Sequence, residues 1–395
     1  MKKLLMATTA TALVSAGAAA AEDVNIGVLL GFTGPIESLT PHMADSAELA
    51  IAEINEAGGI LDGKMLAAVR GDSTCVDSAA ATAAAERMIN SEGVVAIMGA
   101  DCSGVTGAVL ANVAVPNGVV MVSPSATSPG LSTAEDNGLF FRTSPSDARQ
   151  GEVLASIMKD KGVESVAVTY TNNDYGKGLS DAFISSFEGM GGSVTLNAPH
   201  EDGKGDYSAE VGALASAGGE VLVVLGYSDQ GGRGMIQAAL DSGAFDTFAM
   251  GDGMYSDALV ADIGGDIGGS YGSVPWSEGE GADAFKAITE AAGVNGESSF
   301  TRESYDAAAL LALAMQAGGA ATSEAVAANL LNVANAPGEP ILPGELGKAL
   351  QILAEGGEVD YVGGTGVELI GPGEAAGTYR EYTITDGAYE TVTFR

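Results

Sequence analysis

Three short polar stretches of this sequence could hold a small charged solute. They are Asp101-Cys102-Ser103-Gly104, Ser123-Pro124-Ser125-Ala126-Thr127 and Gly251-Asp252-Gly253. The first follows an apolar run, Val94–Met98, and precedes a mildly apolar helical stretch. Gly104 lets the backbone turn there, and a helix starting at Val105 presents unpaired N–H groups to an anion. The residue types needed for covalent chemistry are scarce. His42 and His200 are the only histidines, and Cys75 and Cys102 the only cysteines. Zinc sites and histidine-activated nucleophiles have almost nothing to work with. One G-x-S-x-G match, Gly268–Gly272, has no apolar strand running into it, and both histidines precede it, whereas a nucleophile elbow has its histidine later in the chain. No phosphate-binding loop and no metal cluster are found. The composition argues against an enzyme.

The first residues read as an export signal. MKKLLMATTATALVSAGAAAA has two lysines, an apolar centre and a small-residue end, with cleavage expected after Ala21. No other stretch approaches the ~20 continuous apolar residues of a membrane span, so a soluble, exported protein without membrane insertion is expected. Removing Lys2 and Lys3 moves the formal charge from −35 to −37. So acidic a surface disfavours nucleic acid or anionic lipid as partner and suits solubility. The two cysteines fit one disulfide in an oxidising compartment, worth roughly 3 kcal/mol by loop closure.

A mature chain of 374 residues exceeds one ordinary core and implies two domains. Along it, short β-branched runs end in small polar loops and helical stretches follow. Val24–Leu30 leads to GFTGP, Val94–Met98 to GADCSG, Val119–Val122 to SPSAT, Ser165–Thr169 to YTNNDYG, Val221–Leu225 to GYSDQGG and Thr247–Met250 to GDGMY. Met43, Ala47, Ala50, Ile51 and Ile54 form a stripe of helical period stopped by Gly58-Gly59. Such alternation implies parallel sheets covered by helices, with ligands outside the carboxyl ends of the strands. Every loop named lies at that edge. Beyond Gly279 come long Ala-rich helices, and TYREYTITDGAYETVTF reads as a hairpin turning at Asp386-Gly387. No single linker divides the chain.

The motifs GFTGP, AIAEINEAGGI, GDSTC, DCSG, SPSATSP, YGKG and YDAAA occur in order from Asn25 onward. Together with the cysteine spacing and the export signal, they resemble the type I periplasmic binding proteins of ABC transporters, specifically the leucine/isoleucine/valine-binding branch. The resemblance implies an α/β fold of two Rossmann-like lobes with parallel-sheet cores, joined by three hinge crossings and closing on a ligand. Applied to this chain, residues 22–142 plus 277–362 would form lobe 1, and residues 143–276 plus 363–395 lobe 2. The crossings would fall near Arg142–Ser144, Val274–Ser277 and Val362–Gly371. The resemblance also implies a Cys75–Cys102 disulfide within lobe 1.

It further implies an amino acid in the cleft. Ser103, Ser125 and Thr127 would hold its carboxylate and ammonium from lobe 1. From lobe 2, Asp252 would pair with the ammonium, Tyr227 would bond the same groups and Tyr175 would close over the ligand. Two alternatives concern capping: Ser103 as a helix N-cap and Asp252 as the cap of the next turn. Leu39 and Phe300 would line the side-chain pocket, Leu39 standing where leucine-binding relatives place an aromatic. Arg302 is expected to be solvated outside the pocket; pointing inward, it would favour an acidic or polar ligand. The implied role is the periplasmic component of an importer, a monomer with neither cofactor nor metal, passing a branched-chain or other aliphatic amino acid to its permease. The alternatives are a ligand sensor of the same fold, and a binder of an amide, urea or another small carboxylate.

Overall fold

A computed structural model describes residues 23–395; the proposed export signal lies outside them. Two seven-stranded sheets form the molecule's framework. In the first, β1 (Val24–Leu30), β2 (Leu66–Asp72), β3 (Ala96–Gly99), β4 (Val120–Ser123) and β5 (Phe140–Pro145) run parallel in the order β2-β1-β3-β4-β5. In the second, β6 (Ser165–Thr171), β7 (Ser193–His200), β8 (Val221–Leu225), β9 (Phe248–Met250) and β10 (Tyr271–Pro275) repeat that order as β7-β6-β8-β9-β10. The central strands are continuous apolar runs because helices cover both faces, and all of Val221–Leu225 is buried, whereas the edge strand β7 alternates exposed and half-buried residues. β11 (Glu339–Ile341) and β12 (Val359–Tyr361) form a separate parallel pair.

The C-terminal region finishes both sheets. β13 (Leu369–Ile370) and β14 (Glu374–Ala375) extend the first beyond β5, and β15 (Tyr379–Thr385) and β16 (Ala388–Phe394) extend the second beyond β10. The β15–β16 hairpin turns at Asp386 and Gly387, both at positive φ (50° and 76°), as a two-residue turn matched to strand twist demands. The chain therefore passes between lobes three times: after β5, after β10, and at residues 376–378. This corrects the expected third crossing at Val362–Gly371. The stretch 363–375 stays with the first lobe because β14 pairs with β5, and Arg142 of β5, only 1% exposed, bonds Glu374 at 2.5 Å. The first lobe likewise keeps all of β5, to Pro145 rather than Arg142.

The helix Thr40–Glu56 buries Met43, Ala47, Ala50, Ile51 and Ile54, and Gly58 and Gly59 at φ 105° and 79° end it. It packs on the helix Thr301–Gly318, whose small Ala307–Ala309, Ala312 and Ala314 allow close approach from several sides. Motif residues fasten this lobe together. The Glu53 carboxylate accepts from Leu346 N at 2.7 Å and from the Tyr305 hydroxyl. Asn55 exchanges two bonds with the Leu66 backbone. Asp306 accepts from Tyr361, Gly364 N and both donors of Thr365 at 2.7–2.9 Å. Cys75 and Cys102 form a disulfide between the loops that follow β2 and β3.

Candidate functional site

A small, partly open cavity lies between the lobes. The first lobe supplies Ile36 and Leu39 after β1, Asp101, Cys102 and Ser103 after β3, Ser125 after β4, and Phe300 ahead of the helix Thr301–Gly318. The second supplies Tyr175 after β6, Tyr227 after β8, and Asp252 and Gly253 after β9. All six strand-end loops read from the sequence thus meet here. Two wider surface grooves, at residues 203–263 and 317–359, are each lined by one lobe alone. They have none of this convergence.

In the first lobe the polar groups are largely tied to one another. Asp101 accepts from Gly31 N and from Ser73 Oγ, each at 2.7 Å, linking the loops after β1, β2 and β3; burial raises its pKa. The Ser125 hydroxyl donates to Asp101 O at 3.0 Å. Ser103 Oγ accepts from Ser128 N at 3.0 Å, which leaves the hydroxyl proton free to donate. The N-cap of its helix is Cys102, without a side-chain cap bond, so Ser103 sits one residue inside the helix rather than capping it. Arg142 holds the loop after β4, donating to Ala126 O at 2.9 Å and to Ser128 O at 3.0 Å. Ile36, Leu39 and Phe300 make the apolar wall. Phe300 has φ 61°, a left-handed conformation that costs a non-glycine residue roughly 1–3 kcal/mol.

In the second lobe the polar groups keep bonding capacity. The Tyr175 hydroxyl donates to Asp252 Oδ1 at 2.6 Å and accepts from Gly253 N at 3.1 Å. Its ring stacks on Tyr227, centroids 5.2 Å apart, and Tyr227 OH accepts from Asn173 at 3.3 Å. Burial pushes the Asp252 carboxyl up to about 6 while the Tyr175 bond opposes the rise, so at neutral pH it is an anion. It makes no cap bond, since its short turn is capped by Gly251.

A second carboxylate stands behind it. Asp147 N donates to Thr127 O at 2.8 Å, and burial, followed by the charge of Asp252, holds its carboxyl well above the usual range. The Thr127 hydroxyl faces the Asp147 carboxyl and opposes that rise, and Gln150 Oε1 is buried without a partner. A buried pair of carboxyls with an unsatisfied amide oxygen beside it suits a cationic donor.

The structure brings Leu39, Ser103, Ser125, Tyr175, Tyr227, Asp252 and Phe300 to one cavity; Thr127 lies behind it rather than on its surface. Ile36, Asp101 and Gly253 belong to loops the sequence pattern marks, but nothing distinguishes them within those loops. Asp147 reads in sequence only as a helix start. Arg302 corrects an expectation: it is 5% exposed, neither solvated nor in the cavity. Its guanidinium stacks 3.8 Å from the Trp276 ring centre and lies 3.5 Å from Glu297. The Gly268–Gly272 match is the lead-in to β10, where Ser270 Oγ accepts from Phe248 N at 3.1 Å. The glycines of YGKG have steric roles. A Cβ at Gly176 would stand 2.2 Å from Thr171 O, and one at Gly178 would meet Pro129 of the opposite lobe at 2.8 Å.

Residues 23–348 match the periplasmic binding protein family. The chain belongs to that family. Among its periplasmic binding protein relatives, the Leu/Ile/Val-binding protein homolog 1 of Brucella abortus is 31% identical over 334 residues, covering 83% of this chain and 87% of the relative. A chemotactic signal transduction system substrate-binding protein, BasB of Halobacterium salinarum, is 29% identical, covering 94% and 89%. The crystal structure of the branched-chain amino acid transporter substrate-binding protein LivJ from Streptococcus pneumoniae, in complex with isoleucine, superposes with a TM-score of 0.76 at 26% identity, covering 94% of this chain and 99% of that one. The fold is the two-lobed one of periplasmic binding proteins, and proteins of that family bind solutes.

Proposed function

We propose that this protein captures an aliphatic α-amino acid, branched-chain or similar, in the interlobe cavity and delivers it to an ABC permease. On this reading residues 1–21 direct export to the periplasm and are removed, and the protein performs no covalent chemistry. The observation that carries the reading is the polarity of one interlobe cavity. An apolar wall of Ile36, Leu39 and Phe300 lies in the first lobe, and an ionised carboxylate, Asp252, in the second. The ligand's side chain would face the wall. Its carboxylate would take the Ser103 hydroxyl and nearby N–H groups, and its ammonium would approach Asp252, with Thr127 and Asp147 behind. The names of the Brucella and Streptococcus relatives support a branched-chain ligand.

A second reading keeps the ligand and changes the partner. The Halobacterium relative serves chemotaxis, so the closed form here would dock on a receptor instead of a permease. Neighbouring permease and ATPase genes separate the two.

The test is calorimetric titration of the mature protein after unfolding and refolding to strip bound ligand. Leucine, isoleucine, valine, alanine, glutamate, proline, γ-aminobutyrate, urea and an aliphatic amide form the panel. Tight one-to-one binding of leucine, isoleucine or valine is expected. Heat from urea or the amide alone would refute the roles given to Ser103, Thr127 and Asp252.

A further inference from the structure

The two segments that supply the apolar wall are each bonded across the cleft by a serine beside the wall residue. Ser38 precedes Leu39. Its N–H donates to Asp229 Oδ2 at 2.8 Å and its hydroxyl to Asp229 Oδ1 at 2.9 Å. Asp229 N donates back to Pro35 O at 3.1 Å. With the Ser38 proton committed to Asp229, the Ser256 hydroxyl, 3.1 Å away, is the donor to Ser38 Oγ. Ser299, which precedes Phe300, donates its hydroxyl to Tyr255 O at 3.0 Å. Pro35, Ser38 and Ser299 belong to the first lobe; Asp229, Tyr255 and Ser256 belong to the second. None of the six lines the cavity.

From this we infer that Asp229 is a positioning residue: clasping Pro35 and Ser38, it fixes the Ile36–Leu39 wall and stabilises the closed state whether or not ligand is present. The reasoning is geometric. Asp229 holds a segment of four residues at both ends; Ile36 lies between those ends and Leu39 next to one of them, and both line the cavity. The clasp joins opposite lobes, so it exists only when they are closed. Its atoms are all the protein's own, so its contribution adds to the closed form independently of what fills the cavity. Ligand affinity then depends on a side chain that never touches ligand. The inference rests on the amino-acid reading only for the identity of the ligand used to test it.

Asp229 and Ser38 are both half-buried at the cleft mouth, so Asp229→Ala is expected to fold. Three readouts follow. Leucine and valine should bind Asp229→Ala about tenfold more weakly than wild type, with faster dissociation carrying the change. Asp229→Asn, which keeps one acceptor oxygen, should recover part of that loss. Without ligand, small-angle scattering should give Asp229→Ala a larger radius of gyration than wild type. Emission from Trp276, the only tryptophan and a residue of the second passage between lobes, should shift in parallel. Unchanged dissociation rates together with identical ligand-free scattering would overturn the inference. If no amino acid binds wild type, the functional reading falls alone, and the ligand-free scattering of the two proteins still decides the clasp.

Discussion

The two lobes share a strand order yet equip their halves of the cleft differently. In the first, Asp101 has both carboxylate oxygens occupied, Ser125 bonds Asp101 O, Arg142 ties down the loop after β4, and a disulfide joins the loops after β2 and β3. In the second, Asp252 has one close side-chain donor, Tyr175, with Gln150 more weakly engaged. Asp147, at the start of the helix reached by the first passage, has only the Thr127 hydroxyl facing it without a close bond. The first half is a braced platform; the second holds acceptors still open to a donor. A fold fixes where the loops meet, while the number of unused hydrogen-bonding positions decides which buried carboxylate is structural and which is available to ligand.

The largest effect should come from removing the brace. Cys75→Ser opens a loop closed by residues 27 apart, and the expected cost is roughly 3 kcal/mol of stability. It should appear as a lower denaturant midpoint while leucine binding survives, because Ser103 and Asp252 keep their supports. A variant with unchanged midpoint would show that the first lobe is not stiffened by its disulfide. Next come the two carboxylates as a pair. Asp252→Asn should weaken binding by about 1.5–3 kcal/mol, the worth of a charge-assisted bond, with little loss of stability. Asp101→Asn should do the reverse. It sets an amide against Gly31 N or Ser73 Oγ and lowers stability by about 1–3 kcal/mol. Finding both losses in the same variant would erase the distinction between the lobes.

How legible this was depended on the kind of residue. The six cavity loops could be read because parallel strands announce themselves as apolar runs with polar ends. The hairpin could be read because Asp386-Gly387 fits the one turn its strands accept. Motif residues were legible as a resemblance but not in their roles: Glu53, Asn55 and Asp306 fasten the first lobe and stand away from the cavity. Asp147 was hidden because an acid at a helix start already has an ordinary explanation. The third crossing was misplaced because β13 and β14 are two residues each, too short for any periodicity. Arg302 went wrong because stacking on Trp276, distant in sequence, is a tertiary contact.

A smaller effect separates fold from closure. Gly178 is helical and at the lobe interface, 2.8 Å from Pro129 once a Cβ is added. Gly178→Ala should raise the stability of the lobe by about 0.5–1 kcal/mol, as alanine suits a helix better than glycine. The same methyl group must push Pro129 away, so the closed state suffers and leucine affinity should fall about tenfold, or 1.4 kcal/mol. Stability and affinity moving together in this variant would mean that the helix Asp174–Gly189 does not approach the first lobe as closely as described.

The smallest effect is in pH, and there the two lobes' chemistry meets. Burial pushes Asp252 up to about 6, above the ~3.9 of an unfolded aspartate. A raised acid takes up a proton on folding, so its stabilising contribution is complete below about 4 and is lost as pH rises through 6. Measured without added ligand, the protein should therefore gain thermal stability on acidification from pH 7 to 4. Binding has the opposite sign, because an ammonium needs the carboxylate. At pH 5.5 the ionised fraction falls enough to weaken leucine binding about fourfold relative to pH 8. Glu303, beside the first and second passages and pushed by burial up to about 8, adds stability lost as pH rises through 8, a window in which affinity should be level. Asp252→Asn removes the binding slope between pH 4 and 7 but only part of the stability slope, because burial also pushes Asp306 up to about 6, and it leaves the slope near 8. Were wild-type affinity flat from pH 8 to 5, the ammonium would have to rest on groups other than Asp252, and the second lobe's open carboxylate would lose its claim on the ligand.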